Sequence, residues 1–272
     1  MTALTPLAPG VFAWLQSPAG LARPNAGVVV DDDGLTVVDT LMVPSQTEPF
    51  AAAVDELAGP VRRVVLTSSH VPWVGGTARF PLAAVYGSPQ TSAHLDLAPN
   101  VEGYQHLFPE HAAEFVDLRT RSVSHIVAEA AWLSAAVVAA PVAGQIAQNL
   151  VVQVPSANVV FAGAMCAFGV RPLAFEGDLG QWADSLDQIL QWGAVIVPGS
   201  GPVGGEREVR GLQDYLRACV AAAGDVHALA AGPWHDWAHP EFDVVNVERA
   251  AMLARGDHSP PPSVLRLLGM AG

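Results

Sequence analysis

The sequence predicts an α/β protein built as a four-layer αββα sandwich: two mixed β-sheets packed face to face and flanked by helices. Two observations predict it. The first is an internal echo, in which strand, turn, strand, helix, strand and glycine-rich loop occur in the same order in both halves of the chain. The second is that nothing between Glu129 and Arg171 carries a charge. That stretch is too interrupted for a membrane span, because Ser134, Pro141, Gln145, Gln148, Asn149 and Pro155 divide it into short Val-rich runs of strand length.

In the first half, NAGVVVDDDGLTVVDT from Asn25 reads as a strand, a turn at Asp31 to Gly34, and a second strand ending at Asp39. A helix follows, with Ser45 and Glu48 as a capping box, Phe50, Val54 and Leu57 on one face and Gly59 at its end. The strand RRVVLT then runs into the loop SSHVPWVGG. In the second half, NLVVQVPSANVVFAGA from Asn149 repeats the hairpin, with its turn at Pro155 to Asn158 and its second strand ending near Gly163. A helix from Asp178 carries Leu179, Trp182, Leu186 and Ile189 at helical spacing and ends near Gly193, and AVIVP leads into GSGPVGG. These boundaries define one domain over residues 1–272, with pseudo-symmetric halves at about 10–120 and 121–224 and a helical C-terminal tail over 225–272.

A chain of 272 residues with 51% hydrophobic and 14% charged side chains is long enough for a large core. Thirteen basic against 26 acidic side chains leave a formal charge of −13, which repels phosphate backbones and anionic lipid surfaces, so neither nucleic acid nor membrane is an expected partner. Two cysteines, Cys166 and Cys219, make no disulfide framework, and Cys219 falls in a helical pattern as a small core residue. The N-terminus has no basic region followed by an apolar stretch and a cleavage site, so the expected location is cytoplasmic.

PNAGVVVDDDGLTVVDT, VVLTSSHVPWVGG, VVFAGA and IVPGSGP together resemble the metallo-β-lactamase fold superfamily over roughly residues 10 to 202. WHDWAHPEFDVVNVERAAMLARG is similar to the helical tail of some bacterial members. The resemblance implies the sandwich and also a dinuclear metal site, whose first loop reads Thr-His-x-His-x-Asp-His-x-Gly-Gly. Here Ser68 stands at the first histidine, His70 at the second, Pro72 at the aspartate and Trp73 at the last histidine. The family's Gly-His falls on Gly144 and Gln145, its bridging aspartate on Ala164, and the histidine of its Pro-Gly-His on Ser200. A catalytic zinc needs about three protein ligands, and one imidazole is left. A degenerate member with no metal and no cofactor is the expectation.

Two other clusters could rebuild a metal site. His106, Glu110 and His111 in HLFPEH are set five apart with Pro109 between them, which does not align the imidazoles on one helical face, so a solvated lid segment is expected. His235 and His239 in HDWAH are four apart and share a face if helical, but Pro240 stops the helix at once.

The resemblance places Ser68, Ser69, His70, Trp73, Gln145, Cys166 and Ser200 around the cleft, which Pro72, Trp73 and Ala164 make more apolar and suited to organic ligands. The candidate catalytic set is His70 as general acid or base, Asp39 and Ser68. The family uses the matching aspartate to support the first loop, and Asp39 is expected to hydrogen-bond a loop side chain, with His70 as one candidate. Substrate-binding candidates are Ser69, Trp73, Gln145, Cys166 and Ser200. No Gly-x-Ser-x-Gly elbow surrounds either serine, and Cys166 reads as a core thiol.

Two functions stay open. The preferred one is a metal-independent enzyme, hydrolase-like or cyclase- or lyase-like, acting on a small organic substrate, an ester, thioester or cyclising intermediate of specialised metabolism. The other is a non-catalytic protein that binds a small molecule or serves as a scaffold. A hydrogen-bonded His70 facing an enclosed pocket favours the first, and a filled cleft with His70 buried favours the second.

Overall fold

A computed structural model describes residues 3–17, 23–230 and 232–270. The strands of the first sheet are β1 (Leu4–Ala8), β2 (Val11–Trp14), β3 (Ala26–Asp31), β4 (Gly34–Val38), β5 (Val61–Val65), β6 (Ala84–Gly87) and β7 (His125–Ile126). They lie side by side in sequence order, antiparallel from β1 to β4 and parallel from β4 to β7. The second sheet holds β8 (Ala131–Trp132), β9 (Val138–Val142), β10 (Asn149–Val154), β11 (Val159–Ala167) and β12 (Val195–Ser200), with only β11 and β12 parallel. Both sheets are therefore mixed, and the charge-free stretch after Glu129 forms most of the second one. The helices are α1 (Pro44–Asp55), α2 (Val71–Val74), α3 (Pro89–Leu95), α4 (Val101–Leu107), α5 (Leu179–Trp192), α6 (Glu206–Ala221), α7 (Asp243–Ala254) and α8 (Pro262–Leu267). Among the described residues no helix is long and apolar enough to cross a membrane.

Strand periodicity sorts the valines into layers, because successive side chains point to opposite faces. Val29, Val38 and Val65 of the first sheet meet Val152, Phe161 and Val197 of the second in the central layer. Their neighbours Val28, Val37 and Val64 face outward onto Phe50, Ala51 and Val54 of α1. Val151, Val160 and Ile196 do the same onto α5, α6 and α7, where Trp182, Leu186, Leu212 and Val247 are buried. The echo is real in pairing as well as order: β3–β4–α1–β5 and β10–β11–α5–β12 are each an antiparallel hairpin, a helix and a strand added in parallel.

Two boundary expectations change. The capping box does not form at α1, because Pro44 occupies the first helical turn and puts Val43 at the N-cap, without a side-chain bond. Ser45 instead turns to Glu114, which accepts from its backbone N–H at 2.8 Å and from its hydroxyl at 2.9 Å. Strand β11 runs past Gly163 to Ala167, because Gly163 takes a left-handed φ of 49° that shifts the register without ending the pairing with β12. The Asp178 cap of α5 is as expected, accepting from the Gln181 N–H.

Candidate functional site

The loops that leave β5, β11 and β12 at their C-terminal ends converge on a cavity of about 1270 Å³, its open mouth included. His70 sits between β5 and α2, Gln145 precedes β10, and Glu176 lies in the loop between β11 and α5. Segments of α4 and α8 complete the wall through Tyr104, Leu107, Val264 and Leu268.

Backbone groups orient a chain of side chains through this site. The Asn149 carboxamide is fixed at both ends, since its Oδ1 accepts from the Ile146 N–H at 3.0 Å and its Nδ2 donates to Thr67 O at 3.1 Å. Its amino group therefore faces Gln145 Oε1, at 3.5 Å, and Ser68 Oγ donates to the same oxygen at 2.9 Å. With its oxygen so committed, Gln145 turns Nε2 to His70 Nδ1, at 2.6 Å. An amide N–H can only donate, so Nδ1 accepts and the ring proton sits on Nε2. That N–H donates to Glu176 Oε1 at 2.9 Å. Phe175 stacks on the imidazole with centroids 5.1 Å apart and planes 7° from parallel.

Glu176 is two-thirds covered and carries the chain's end charge. Burial pushes its carboxyl up, but the His70 hydrogen bond and nearby positive charge, that of Arg249 included, outweigh this and hold it below the usual carboxylate range. Arg249 acts from behind, donating to the backbone carbonyls of Glu176 and Gly177. Among the described residues Glu176 Oε2 has no hydrogen bond.

Of the residues expected at the cleft, His70, Trp73, Gln145, Cys166 and Ser200 line the cavity. Ser68 and Ser69 do not. Ser68 is buried against Gln145, and Ser69 shares a 2.7 Å hydrogen bond with His94 Nδ1. Asp39 does not touch His70. It ends β4 in the left-handed region, φ 60°, which turns its carboxyl onto Thr67, where Oδ1 accepts from the N–H at 2.8 Å and Oδ2 pairs with Oγ1 at 2.6 Å. The support for the loop thus goes through Thr67, and the partner of His70 is Glu176, which sequence reasoning missed. Burial pushes the Cys166 thiol up, so it stands in the wall as a neutral group.

The outlying histidines also find other partners. His106 and Glu110 are exposed as expected, but His111 is buried and pairs through Nδ1 with Glu114 Oε1 at 2.8 Å, because Phe108 and Phe115 draw the segment onto Met42, Val43 and Val71. His235 and His239 share no helix. His239 has φ 64° ahead of a short 3-10 turn and bonds Glu241, and exposed His235 pairs with Asp236. Among the described residues, no three His, Cys, Asp or Glu side chains gather as a group able to hold a metal ion.

A zinc of the kind the fold family uses does not fit the residues at its place. His70 has no lone pair left, since Nδ1 takes the Gln145 N–H and Nε2 gives its proton to Glu176. The indole of Trp73 lies against Gly199, where a Cβ would stand 2.9 Å from its Nε1, and Ala164 and Ser200 in the same cavity lining replace an aspartate and a histidine of the family motif.

No family model matches the chain. Solved structures do. The metallo-β-lactamase FIM-1 from Pseudomonas aeruginosa, in a mono-zinc form, superposes with a TM-score of 0.61 at 21% identity over 79% of this chain and 94% of that one. A metallo-β-lactamase from Erythrobacter litoralis gives 0.58 at 21% identity, over 79% and 95%. A double mutant of the sec-alkyl sulfatase PisA1 gives 0.67 at 15% identity, over 93% of this chain and 50% of that one. The chain has the metallo-β-lactamase fold, and at the positions where its sequence resembles that fold family's metal-binding motifs most ligands are replaced.

Proposed function

We propose that the protein binds a small organic molecule in this cleft without a metal, and that binding is its function. The reading is carried by one observation: a large cavity with an aromatic and aliphatic wall holds a carboxylate, Glu176, whose Oε2 has no hydrogen bond from the described residues. The groups that could start covalent chemistry are committed elsewhere. Ser68 is spent on Gln145, Cys166 is a thiol, and the imidazole that the sequence offered as a base has its lone pair occupied. His70 meets half of each criterion set by the sequence, being hydrogen-bonded towards an open cavity yet 9% exposed. Two free, buried cysteines fit a reducing, cytoplasmic setting.

The test uses Nile red, a neutral apolar dye. Saturable binding of one dye per chain is expected, weakened about tenfold by Trp73→Ala, which removes much of an aromatic wall. Absence of saturable binding, or binding indifferent to both Trp73→Ala and Phe175→Ala, sinks the proposal.

One feature supports the enzyme reading, with an ester, thioester or cyclising intermediate as substrate: Glu176 is ionised, two-thirds covered and has an oxygen without a hydrogen bond, as a general base requires. Its signature is a pH profile. A base with a lowered carboxyl pKa keeps its rate from neutrality down past the usual carboxylate range, whereas a histidine base loses it through about pH 6.5. Turnover on that flat profile, lowered about 10²–10⁴-fold by Glu176→Gln, would replace the binding reading with this one.

A further inference from the structure

We propose that the ligand of this cleft is an organic ammonium, a protonated amine on an apolar body, with its nitrogen seated against Glu176 and its body along the aromatic wall. This deepens the binding reading and rests on it.

Charge inside the cavity is unbalanced. Glu176 brings a full negative charge to a largely apolar space and receives one hydrogen bond, on Oε1, from His70. Most of the positive groups nearby are not free to complete it. Arg171 lines the cavity but is buried with its guanidinium on Asp243, at 2.7 Å, and on the Trp237 carbonyl. Arg249 is used up on four backbone carbonyls, those of Glu176, Gly177, His258 and Ser259. Arg23 is exposed, where water screens its field. His239 is held by Glu241. A half-paired carboxylate in such a space is stabilised by a mobile cation.

The wall says which cation. An inorganic ion wants several oxygen ligands, and the cavity offers one carboxylate. Phe175, Trp73, Tyr104, Phe108 and Phe242 instead line the cavity with aromatic surface, the kind of wall that attracts an ammonium and covers an alkyl or aryl body. The formal charge of −13 over the whole chain favours the approach of a cation from solution. An anionic ligand would meet the charge of Glu176, with exposed Arg23 the lining cation left to offset it.

Displacement of Nile red at neutral pH by three probes sharing one body, phenylbutylamine, phenylbutanol and phenylbutyrate, tests the charge. The amine is expected to bind about tenfold or more tightly than the alcohol, the scale of a cation–aromatic contact joined to a partly covered ion pair, and the carboxylate more weakly than either. Glu176→Gln keeps an acceptor for His70 but removes the charge. It should bring the amine to the level of the alcohol, while the alcohol, which carries no charge, changes much less than the amine. If alcohol or carboxylate displaces the dye as well as the amine does, the ammonium assignment falls and the cleft remains a binding site. If Glu176→Gln leaves the amine preference intact, the assignment also falls. If the dye itself does not bind, both fall together.

Discussion

Gly177→Ala is expected to destabilise the protein by about 3 kcal/mol or more and to abolish binding in the cleft, because it forces apart the two loops that hold His70. Gly177 is buried next to Glu176, and a Cβ there would stand 1.9 Å from the carbonyl oxygen of Gly144 and 3.1 Å from that of Gln145. Both obstacles are backbone, which cannot swing aside as a side-chain tip can. Nor can the Gly144 loop retreat, since a Cβ at Gly144 would already lie 2.2 Å from Met165 Sδ and 3.0 Å from the Trp182 ring. On the other side Arg249 anchors the Gly177 carbonyl at 3.2 Å. The only relief is separation of the loops, and Gln145 and Glu176 are the two hydrogen-bond partners of the imidazole. Urea unfolding and Nile red titration read both effects. Gly180→Ala is the control: it lies in α5, where the nearest atom to a new Cβ is the Asp178 carboxyl tip at 3.3 Å, and it should change stability by no more than about 1 kcal/mol. Wild-type stability and binding in Gly177→Ala would mean that the loops are not locked together.

What could be read from the chain, and what could not, follows from the range of the interactions involved. Valine runs with period two, the Asp178 cap and the spacing of Trp182, Leu186 and Ile189 are local, and they place β3, β4, β10, β11 and α5 correctly. Ser45 and Glu48 have capping-box spacing, but Pro44 moves the N-cap of α1 back from Ser45 to Val43 and the serine is claimed by Glu114, 69 residues away. HLFPEH has solvated composition, yet its two neighbouring phenylalanines decide the outcome and bury His111. The cleft was legible where the chain echoes a known motif, at His70, Trp73, Gln145, Cys166 and Ser200. Glu176 was not, because a single glutamate between Phe175 and Gly177 bears no spacing relation to a histidine 106 residues earlier. The available signal was its position after β11, since ligands in sheet proteins of this kind collect at the C-terminal ends of strands. Asp39 differs: its hydrogen bond to a loop side chain was legible, but the choice of Thr67 over His70 depends on a left-handed φ that no local pattern announces.

That same carboxyl gives a prediction about pH. Asp39 is 1% exposed, and burial pushes its pKa up to about 7, against which the hydrogen bonds from Thr67 work only partly. In the unfolded chain it returns to its ordinary value of 3.8. The folded state therefore binds the proton more tightly, and its contribution to stability is complete below the unfolded pKa and is lost as pH rises through the folded one. A tenfold change in proton affinity is worth about 1.4 kcal/mol, so the whole titration amounts to roughly 4 kcal/mol, of which between about 2 and 3 is lost from pH 5 to pH 8. Asp39→Asn imitates the protonated form. Its Oδ1 can accept from the Thr67 N–H and its Nδ2 can donate to Thr67 Oγ1, the two contacts the carboxyl makes now, and asparagine is among the residues that tolerate φ 60°. The variant is expected to be more stable than the wild type at pH 8, with the gap closing as pH falls towards 5. Parallel stability curves for the two across pH 5 to 8 would show that Asp39 stays ionised in the fold, held by Thr67 against its own burial.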